Sequence, residues 1–519
     1  MLRRALRAHE QGDFATAERL YTAVLAHQRN TFDALHGLGL INYRRGRLDA
    51  ALALIQSALQ ADLDRADGFA SLGLVFLALK QFTRALTSFD AGLRIAPDDV
   101  ELNNRRGVAL LELNRPREAL DSFERALGAA PDHLEALGNC GNALLKLNRP
   151  ADALASYDRA LTLAPDNAQL LTNRAAALRR LDRPHEALMS ARAALAGKRD
   201  FAQAKFVEAV ARLTLGDFAG WRGYEARWSV GFLASQRRSF AQPLWLGEQT
   251  LDGKTILLHA EQGYGDTLQF ARYAPLVAAR GANVILEVQP TLVRLLSSIP
   301  GVALIARGQP LPPFDFHCPL LSLPLACATE LATVPAAISY IAPADNDVAK
   351  WRQRLPERRP LIGLVWSGER SHDNDLNRSL RLEALAPLLG LLDVTFVSLQ
   401  HEVRDGDAGL LQRHPAIVSI GQDLRDFADT AAAIASLDAV IAVDTAVAHL
   451  AGAMGKPLLL LLPFGADFRW LRERNDSPWY PTARLYRQPA FGDWASVVDG
   501  VRQDLIRGDF FLRTERLSA

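Results

Sequence analysis

"TILLHAEQGYGDTLQF", residues 255–270, decides how the second half of this 519-residue chain folds. Its apolar start reads as a buried strand, its two glycines as a turn, and the segment from Thr267 as the opening of a helix. A glycine turn between strand and helix usually clears room for a phosphate at the helix N-terminus. Here Asp266 directly follows the second glycine, where that phosphate would sit. A nicotinamide dinucleotide is disfavoured for the same reason. The third glycine position holds Leu268, although Glu287 ends the next strand as a ribose ligand would.

Working toward the C-terminus, the same alternation recurs. The β-rich runs "NVILEVQ", "VALIARG" and "FDFHCPLLSLP" follow, with helical segments around 267–279 and 291–298 between them. A helix-like "DNDVAKWRQRLPERRP" intervenes, and a second set runs through "LIGLVWSG", "DVTFVSLQ", "AIVSIGQ", "DAVIAVD" and "PLLLLLP". Strands alternating with helices predict parallel sheets with right-handed crossovers, here two in tandem. Ligands of such sheets lie beyond the carboxyl ends of the strands, so two facing sheets predict a site in the cleft between them.

Three groups of residues fall at those strand ends. The first is Glu261, Gln262, Gly263, Gly265 and Asp266. The second is Ser367 and Gly368 with the polar loop "ERSHDNDLNRS", which carries Arg378. The third is "VIAVDTAVAHLAGAMGKP", with Asp444, Thr445 and Ala446 at the turn and His449 one helical turn in. The third is the better anion site, because a helix of small residues presents free N–H groups and a positive dipole end. Arg378 supplies mobile positive charge from the facing loop. If a diphosphate is held there, the first turn need not hold one, and Asp266 becomes a candidate general base for an acceptor hydroxyl. Plain N-capping by Asp266, Asp444 and Thr445 is the structural alternative.

Toward the N-terminus the pattern is different. Alanines recur at 17, 51, 85, 119, 153 and 187, and glycines keep the same 34-residue step at 39, 73, 107 and 141. Large residues follow the alanines at Tyr21, Ile55, Phe89, Phe123 and Tyr157, and prolines close three units at Pro97, Pro131 and Pro165. A small residue where two helices touch, a large one a turn later and a proline stop describe a helix-turn-helix unit. This stretch, about 1–200, resembles the tetratricopeptide repeat family, and its first unit lacks much of its first helix. Such arrays bind extended polypeptides or partner helices on an inner surface. Asn104, Arg105, Asn139, Asn142 and Asn173 lie on first helices, with Arg105, Asn139 and Asn173 in one register. A row of carboxamides can grip a peptide backbone, since each offers donor and acceptor; ordinary solvated polar residues are the alternative. After the array, "LTLGDFAGWRGYEARW" (213–228) reads as a capping helix with Trp221, Tyr224 and Trp228 on one packed face.

Bulk composition narrows the classes. Hydrophobic residues are 49% and charged residues 23%, as in ordinary globular proteins. Lys+Arg and Asp+Glu stand at 59 against 58, so no global field points to nucleic acid or an anionic membrane. The three cysteines lack metal-type spacing, so no metal site is expected. No apolar run is long enough to span a bilayer, and the start lacks an apolar signal core, so a cytoplasmic location is expected.

The second half, about 255–510, is similar to the family 9 glycosyltransferases, which include the lipopolysaccharide heptosyltransferases. The resemblance rests on "GYGD" and on "DFADTAAAIASLDAVIAVDTAVAHLAGAMGKP", in that order across two Rossmann-like domains. It implies a GT-B fold, a nucleotide-sugar donor with no permanently bound cofactor, and inversion without a metal. It puts the family's proposed base on Asp266 and its donor-diphosphate loop on Asp444, Thr445 and Ala446, beside His449. Arg378 stands where the family has a phosphate-binding lysine, Ala446 where it has a glycine, and Glu402 in "SLQHE" matches its ribose-binding acid. Ser367 and Gly368 join the donor side, and Gln262, Gly263 and Gly265 form the acceptor-side loop.

The expected class is α + α/β. A repeat solenoid over 1–200 and a capping helix and linker over 201–250 come first. An acceptor-side Rossmann-like domain over 251–345 and a donor-side one over 346–519, ending in a helix, complete the chain. The expected function is transfer of a sugar to a polypeptide recruited by the repeats, with bacterial flagellin as one setting by architecture. The alternatives are a binding scaffold with a degenerate transferase domain and a transferase acting on a saccharide.

Overall fold

The computed structural model describes residues 1–372, 374–414 and 417–508. Asp373 of the expected polar loop, Ala416 at the head of "AIVSIGQ", and residues 509–519 of the expected last domain lie outside the described residues. The chain divides into two compact units, Met1–Ala177 and Leu178–Ala519.

The first unit is helical. From Leu2–Glu10 and Phe14–His27 onward it alternates helices of 13 and 14 residues, such as Val100–Glu112 and Pro116–Ala129. The 34-residue step has a steric cause. A Cβ added at Gly73 would lie 2.3 Å from Phe89, at Gly107 2.4 Å from Phe123, and at Gly141 2.4 Å from Tyr157. These three first helices thus carry a glycine because a ring from the partner helix abuts the backbone there. The recurring alanines Ala17, Ala51, Ala85, Ala119 and Ala153 are fully buried for the same close approach. Lys80, Asn114 and Asn148 close the first helices with φ between 55° and 58°, and one of these positive-φ positions recurs in each unit.

The second unit opens with two more helices at the repeat spacing, Pro184–Gly197 and Ala202–Thr214. The expected single capping helix over 213–228 is not formed. Gly216, at φ +79°, breaks the run, and a five-residue helix Gly220–Tyr224 is followed by a 3-10 segment, Glu225–Ser229. Trp221 and Tyr224 are buried as expected, but Trp228 is only half-buried, and Arg227 takes the interior position instead.

Two fully parallel sheets follow. The first contains β1 (Thr255–His259), β2 (Asn283–Val288), β3 (Val302–Ala306) and β4 (Phe316–Pro319) in the order β3-β2-β1-β4. The second contains β5 (Leu361–Val365), β6 (Thr395–Ser398), β7 (Ile417–Ser419), β8 (Ala439–Val443), β9 (Leu458–Leu462) and β10 (Ala483–Arg487). Their order is β10-β9-β8-β5-β6-β7, the doubly wound arrangement, with Ile362 in register with Ala439 across the β5/β8 pair. The region after the repeats is therefore α/β, and the chain as a whole is α + α/β. Helices cover both faces of the second sheet, which is why every residue of Leu458–Leu462 is fully buried. Leu458, Leu460 and Leu462 join one core, and Leu459 and Leu461 join the other.

The helices between strands are shorter than the apolar pattern suggests. The stretch over 267–279 is a helix Tyr264–Phe270, a 3-10 turn Ala271–Tyr273 and a helix Ala274–Ala278. Pro275 explains the break, because it has no N–H to continue the first helix. Two arginines fasten the sheets to each other. Arg272 donates to the carbonyls of Gln269 (2.8 Å) and Trp479 (2.7 Å) and to the Tyr340 hydroxyl (2.9 Å). Arg294 pairs with Asp347, Asp426 and Asp429. Among the described residues no helix is long and apolar enough to cross a membrane.

Candidate functional site

In each sheet the strand order reverses at one place, between β1 and β4 in the first and between β5 and β8 in the second, and ligands of doubly wound sheets bind there. Gln262, Gly263, Gly265 and Asp266 follow β1; Ser367 and Gly368 follow β5; Asp444, Thr445 and Ala446 follow β8. The two turns meet. A Cβ at Gly265 would lie 2.6 Å from His449 Cδ2, so the second glycine of the opening motif clears space for an imidazole of the other sheet. Asp266 is the next residue after this contact with helix Ala446–Ala453.

Asp266 sits in the first turn of its helix. Its Oδ2 accepts from the Gly263 N–H (2.9 Å), and its Oδ1 pairs with Arg469. Arg469 also reaches Asp467, with Nη1 2.7 Å from Oδ1, and Asp467 caps the 3-10 turn Phe468–Trp470 by accepting from the Arg469 N–H at 3.1 Å. Burial works against the Asp467 charge, but the guanidinium and amide of Arg469 outweigh it and hold the carboxyl below its ordinary range.

Helix Ala446–Ala453 has no side-chain cap. Thr445, at its N-cap, turns its hydroxyl back to the Val443 carbonyl (3.2 Å), leaving the first helical N–H groups without a side-chain acceptor. Arg378 lies over Gly368, where a Cβ would be 2.7 Å from Nη2, and donates from Nη1 to the Asp444 carbonyl (3.1 Å). Ser367 is buried, with its N–H donating to Gln400 Oε1 at 3.2 Å, while the Gly368 N–H donates to Ser379 Oγ at 3.0 Å. Burial, and then the neighbouring Asp467 carboxylate, raise the Asp444 carboxyl above the usual range. His449 is buried, shares a 2.9 Å hydrogen bond with the Tyr480 hydroxyl, and stacks on Trp470 at 5.3 Å. Burial first, and then Arg469, push its imidazole down to about 3, so it is a neutral group near pH 7.

Some expected residues lie differently. The Glu402 carboxylate is exposed and pairs with Arg370 at 3.1 Å. Glu287 is buried against Arg238, so the strand end where a dinucleotide ribose would bind is already occupied. Gln262 faces Tyr224, 3.5 Å from its hydroxyl, and Glu261 is consumed by Arg227. Asp467, Arg469, Trp470 and Tyr480 were not among the expected residues. The signal for them was present: "GADFRWLRERNDSPWY" packs charges and aromatics directly after the carboxyl end of an all-buried strand.

In the first unit, four of the five groove candidates form two linked pairs, and Arg105 stands apart from them. Asn139 donates to Asn104 Oδ1 (3.0 Å), and Asn173 donates to Asn142 Oδ1 (3.0 Å), which also accepts from the Tyr157 hydroxyl (2.7 Å). Asn104 is fully buried and serves the helix interface, while Asn139, Asn142 and Asn173 are half-buried. Arg105 is held by Glu101 (2.5 Å) and Glu135 (3.1 Å).

Residues 2–67, 50–100, 70–134 and 104–168 match the tetratricopeptide repeat. The chain is 29% identical over 329 residues to protein FlbA of Caulobacter vibrioides, a match covering 58% of this chain and 54% of FlbA. It thus spans about half the length of that relative. Among solved structures it is similar to YrrB, described as a TPR protein with an unusual peptide-binding site. That match has 21% identity and a TM-score of 0.32, over 36% of this chain and 95% of YrrB. A tetratricopeptide repeat protein from Parabacteroides merdae matches at 16% identity and TM-score 0.38, over 44% of this chain and 92% of that one. The N-terminal region of this chain is built of tetratricopeptide repeats.

Proposed function

We propose that the chain is a glycosyltransferase of GT-B type that moves a sugar from a nucleotide-sugar to a polypeptide held by the repeats. The observation that carries this reading is the contact of Gly265 with His449 across two strand-order reversals. The two turns that meet there carry a carboxylate, Asp266, and a helix start with no side-chain cap beside a guanidinium, Arg378. A donor diphosphate bound at Ala446 and Val447 would meet backbone N–H groups and the helix dipole. The acceptor hydroxyl would attack the anomeric carbon and pass its proton to Asp266. The carbon–oxygen bond to the diphosphate would break, and the nucleoside diphosphate would leave with the electron pair, inverting the centre.

A panel of UDP, GDP, ADP and CDP in thermal-shift and calorimetric titrations tests the reading. One of them is expected to bind, and Arg378→Ala to weaken it by about 1.5–3 kcal/mol through loss of a charge-assisted hydrogen bond. Unchanged affinity would remove Arg378 from the site. Silence across the panel would favour the scaffold reading, which draws support from the engagement of Asp266 by Arg469.

For the repeats, half-buried carboxamides at Asn139, Asn142 and Asn173 support contact with a peptide backbone, and a protein partner follows from the repeats themselves. Combined Asn139→Ala and Asn142→Ala substitutions are expected to raise KM for a polypeptide acceptor and leave nucleotide affinity unchanged. An unaltered KM would take acceptor recruitment away from this row.

A further inference from the structure

We propose that Arg469 is an exchangeable guanidinium: the anionic diphosphate of the donor draws it off Asp266, so that the base is uncovered only after the donor has bound. The inference rests on the nucleotide-sugar reading above and adds an order of events to it.

The geometry of the carboxylate comes first. Asp266 Oδ2 is tied to the Gly263 N–H within its own turn, which leaves Oδ1 as the oxygen available to an acceptor. Oδ1 is the atom Arg469 occupies. Each carboxylate oxygen keeps a second lone pair, but a hydroxyl arriving at Oδ1 must share that oxygen with the guanidinium unless Arg469 moves aside. In this structure the candidate base is masked.

The guanidinium is built to exchange. Its Nη1 stays on Asp467, whose carboxylate also holds the Arg469 backbone N–H, so Asp467 acts as a pivot. Its Nε is buried and has no hydrogen-bond partner, which leaves a donor unspent in a place where an unpaired N–H is costly. The backbone around it is fixed. The Trp470 carbonyl accepts from Arg487 at 2.5 Å, Arg472 pairs with Asp182 at 3.0 Å, and a Cβ at Gly465 would lie 2.5 Å from the Arg180 carbonyl. Exchange therefore needs only side-chain rotation about a held main chain.

Charge balance supplies the direction. The site carries three carboxylates, Asp266, Asp444 and Asp467, and the guanidiniums Arg378 and Arg469, with Arg179 also facing Asp467. Arg378 already spends Nη1 on a carbonyl. Arg469 is shared between Asp467 and Asp266, so an entering diphosphate competes with Asp266 for one arm of its guanidinium. A phosphate and a carboxylate compete for the same planar fork, and the phosphate carries more charge. Masking the base until the donor is seated also keeps the carboxylate from acting without a sugar to transfer.

The test is a double-mutant cycle read by nucleotide affinity. Affinity for the binding member of the UDP, GDP, ADP and CDP panel, and for inorganic pyrophosphate, is measured in wild type, Asp266→Asn, Arg469→Ala and the double variant. Removing the competing carboxylate is expected to tighten binding by about three- to tenfold in Asp266→Asn. Arg469→Ala is expected to weaken binding by about tenfold or more. In the double variant the tightening disappears, because no guanidinium remains to be released. Arg469→Lys, which keeps the charge without the fork, checks that losses are not misfolding and is expected to fall between wild type and Arg469→Ala. If Asp266→Asn binds no tighter, or tightens equally with Arg469 removed, exchange is refuted while nucleotide binding stands. If wild type binds neither pyrophosphate nor any nucleotide, the transferase reading falls and this proposal falls with it.

Discussion

Asp266→Asn is expected to lower sugar transfer, or donor hydrolysis where no acceptor is supplied, by about 10²–10⁴-fold with no loss of nucleotide affinity. Asparagine preserves the size of the side chain, and its carbonyl oxygen can still accept from the Gly263 N–H that Oδ2 receives at 2.9 Å. What it cannot do is take a proton. An N-cap without chemistry makes the opposite pattern: Asp266→Ala would then lower the melting temperature through the lost cap, and Asp266→Asn would leave the rate near wild type. The rate of Asp266→Asn, measured at saturating donor, separates the two. Full activity in that variant would falsify the catalytic assignment.

The second large effect concerns stability. Arg227 is fully buried, and its Nε and Nη2 each lie 2.9 Å from a Glu261 oxygen, with Glu225 at 2.6 Å and the Ser322 hydroxyl at 2.8 Å. Burial alone would lower the Arg227 pKa, but the facing carboxylates outweigh it and leave it raised. Glu261 also accepts from the Leu321 N–H at 3.0 Å, so it ties the segment after the repeats to the floor of the first sheet. Glu261→Ala removes half of a buried pair and orphans that N–H. We expect a loss of about 3 kcal/mol, the lower end for breaking a buried pair because Glu225 remains. Urea unfolding followed by tryptophan fluorescence reads it as a fall in midpoint with an unchanged slope. Replacing Arg227 and Glu261 by methionine together with Glu225→Gln is expected to recover most of the loss, since no member of the charge cluster is then left unpaired. A single-variant cost below about 1 kcal/mol would mean that water reaches the guanidinium.

Most of the architecture was legible because the second sheet is covered on both faces. Its strands β5 to β9 announce themselves as apolar runs for that reason, and β1 to β4 of the first sheet are apolar runs as well, whereas β10 escaped detection. It is an edge strand whose Arg484 and Arg487 are half-buried, so its pattern alternates and its length gives no further cue. The 34-residue step was equally plain, since a ring lying on a glycine leaves little choice at either position. The site was legible only in part. Gly265, Asp266, Asp444 and His449 stand at strand ends and could be picked out by position. Arg469 could not: its partner Asp266 is 203 residues away, and nothing local marks an arginine that will meet it. The carboxamides show the same limit. Their register was visible, but Asn104 turns inward and pairs with Asn139, a contact set by packing between neighbouring units rather than by spacing.

The pairing of β5 with β8 has a consequence for how the chain comes into being. The repeats close on their immediate neighbours and can fold as they leave the ribosome. Ile362 must instead wait for Ala439, and at about 5–20 residues per second that wait lasts several seconds on the nascent chain. Throughout it, one hydrogen-bonding edge of β5 is open to any stray strand. Arg469 and Tyr480 are made later still, so the site is completed only after most of the chain has been made. In the crowded setting of translation, the residues proposed to carry the chemistry are among those whose assembly depends most on the rest having folded correctly.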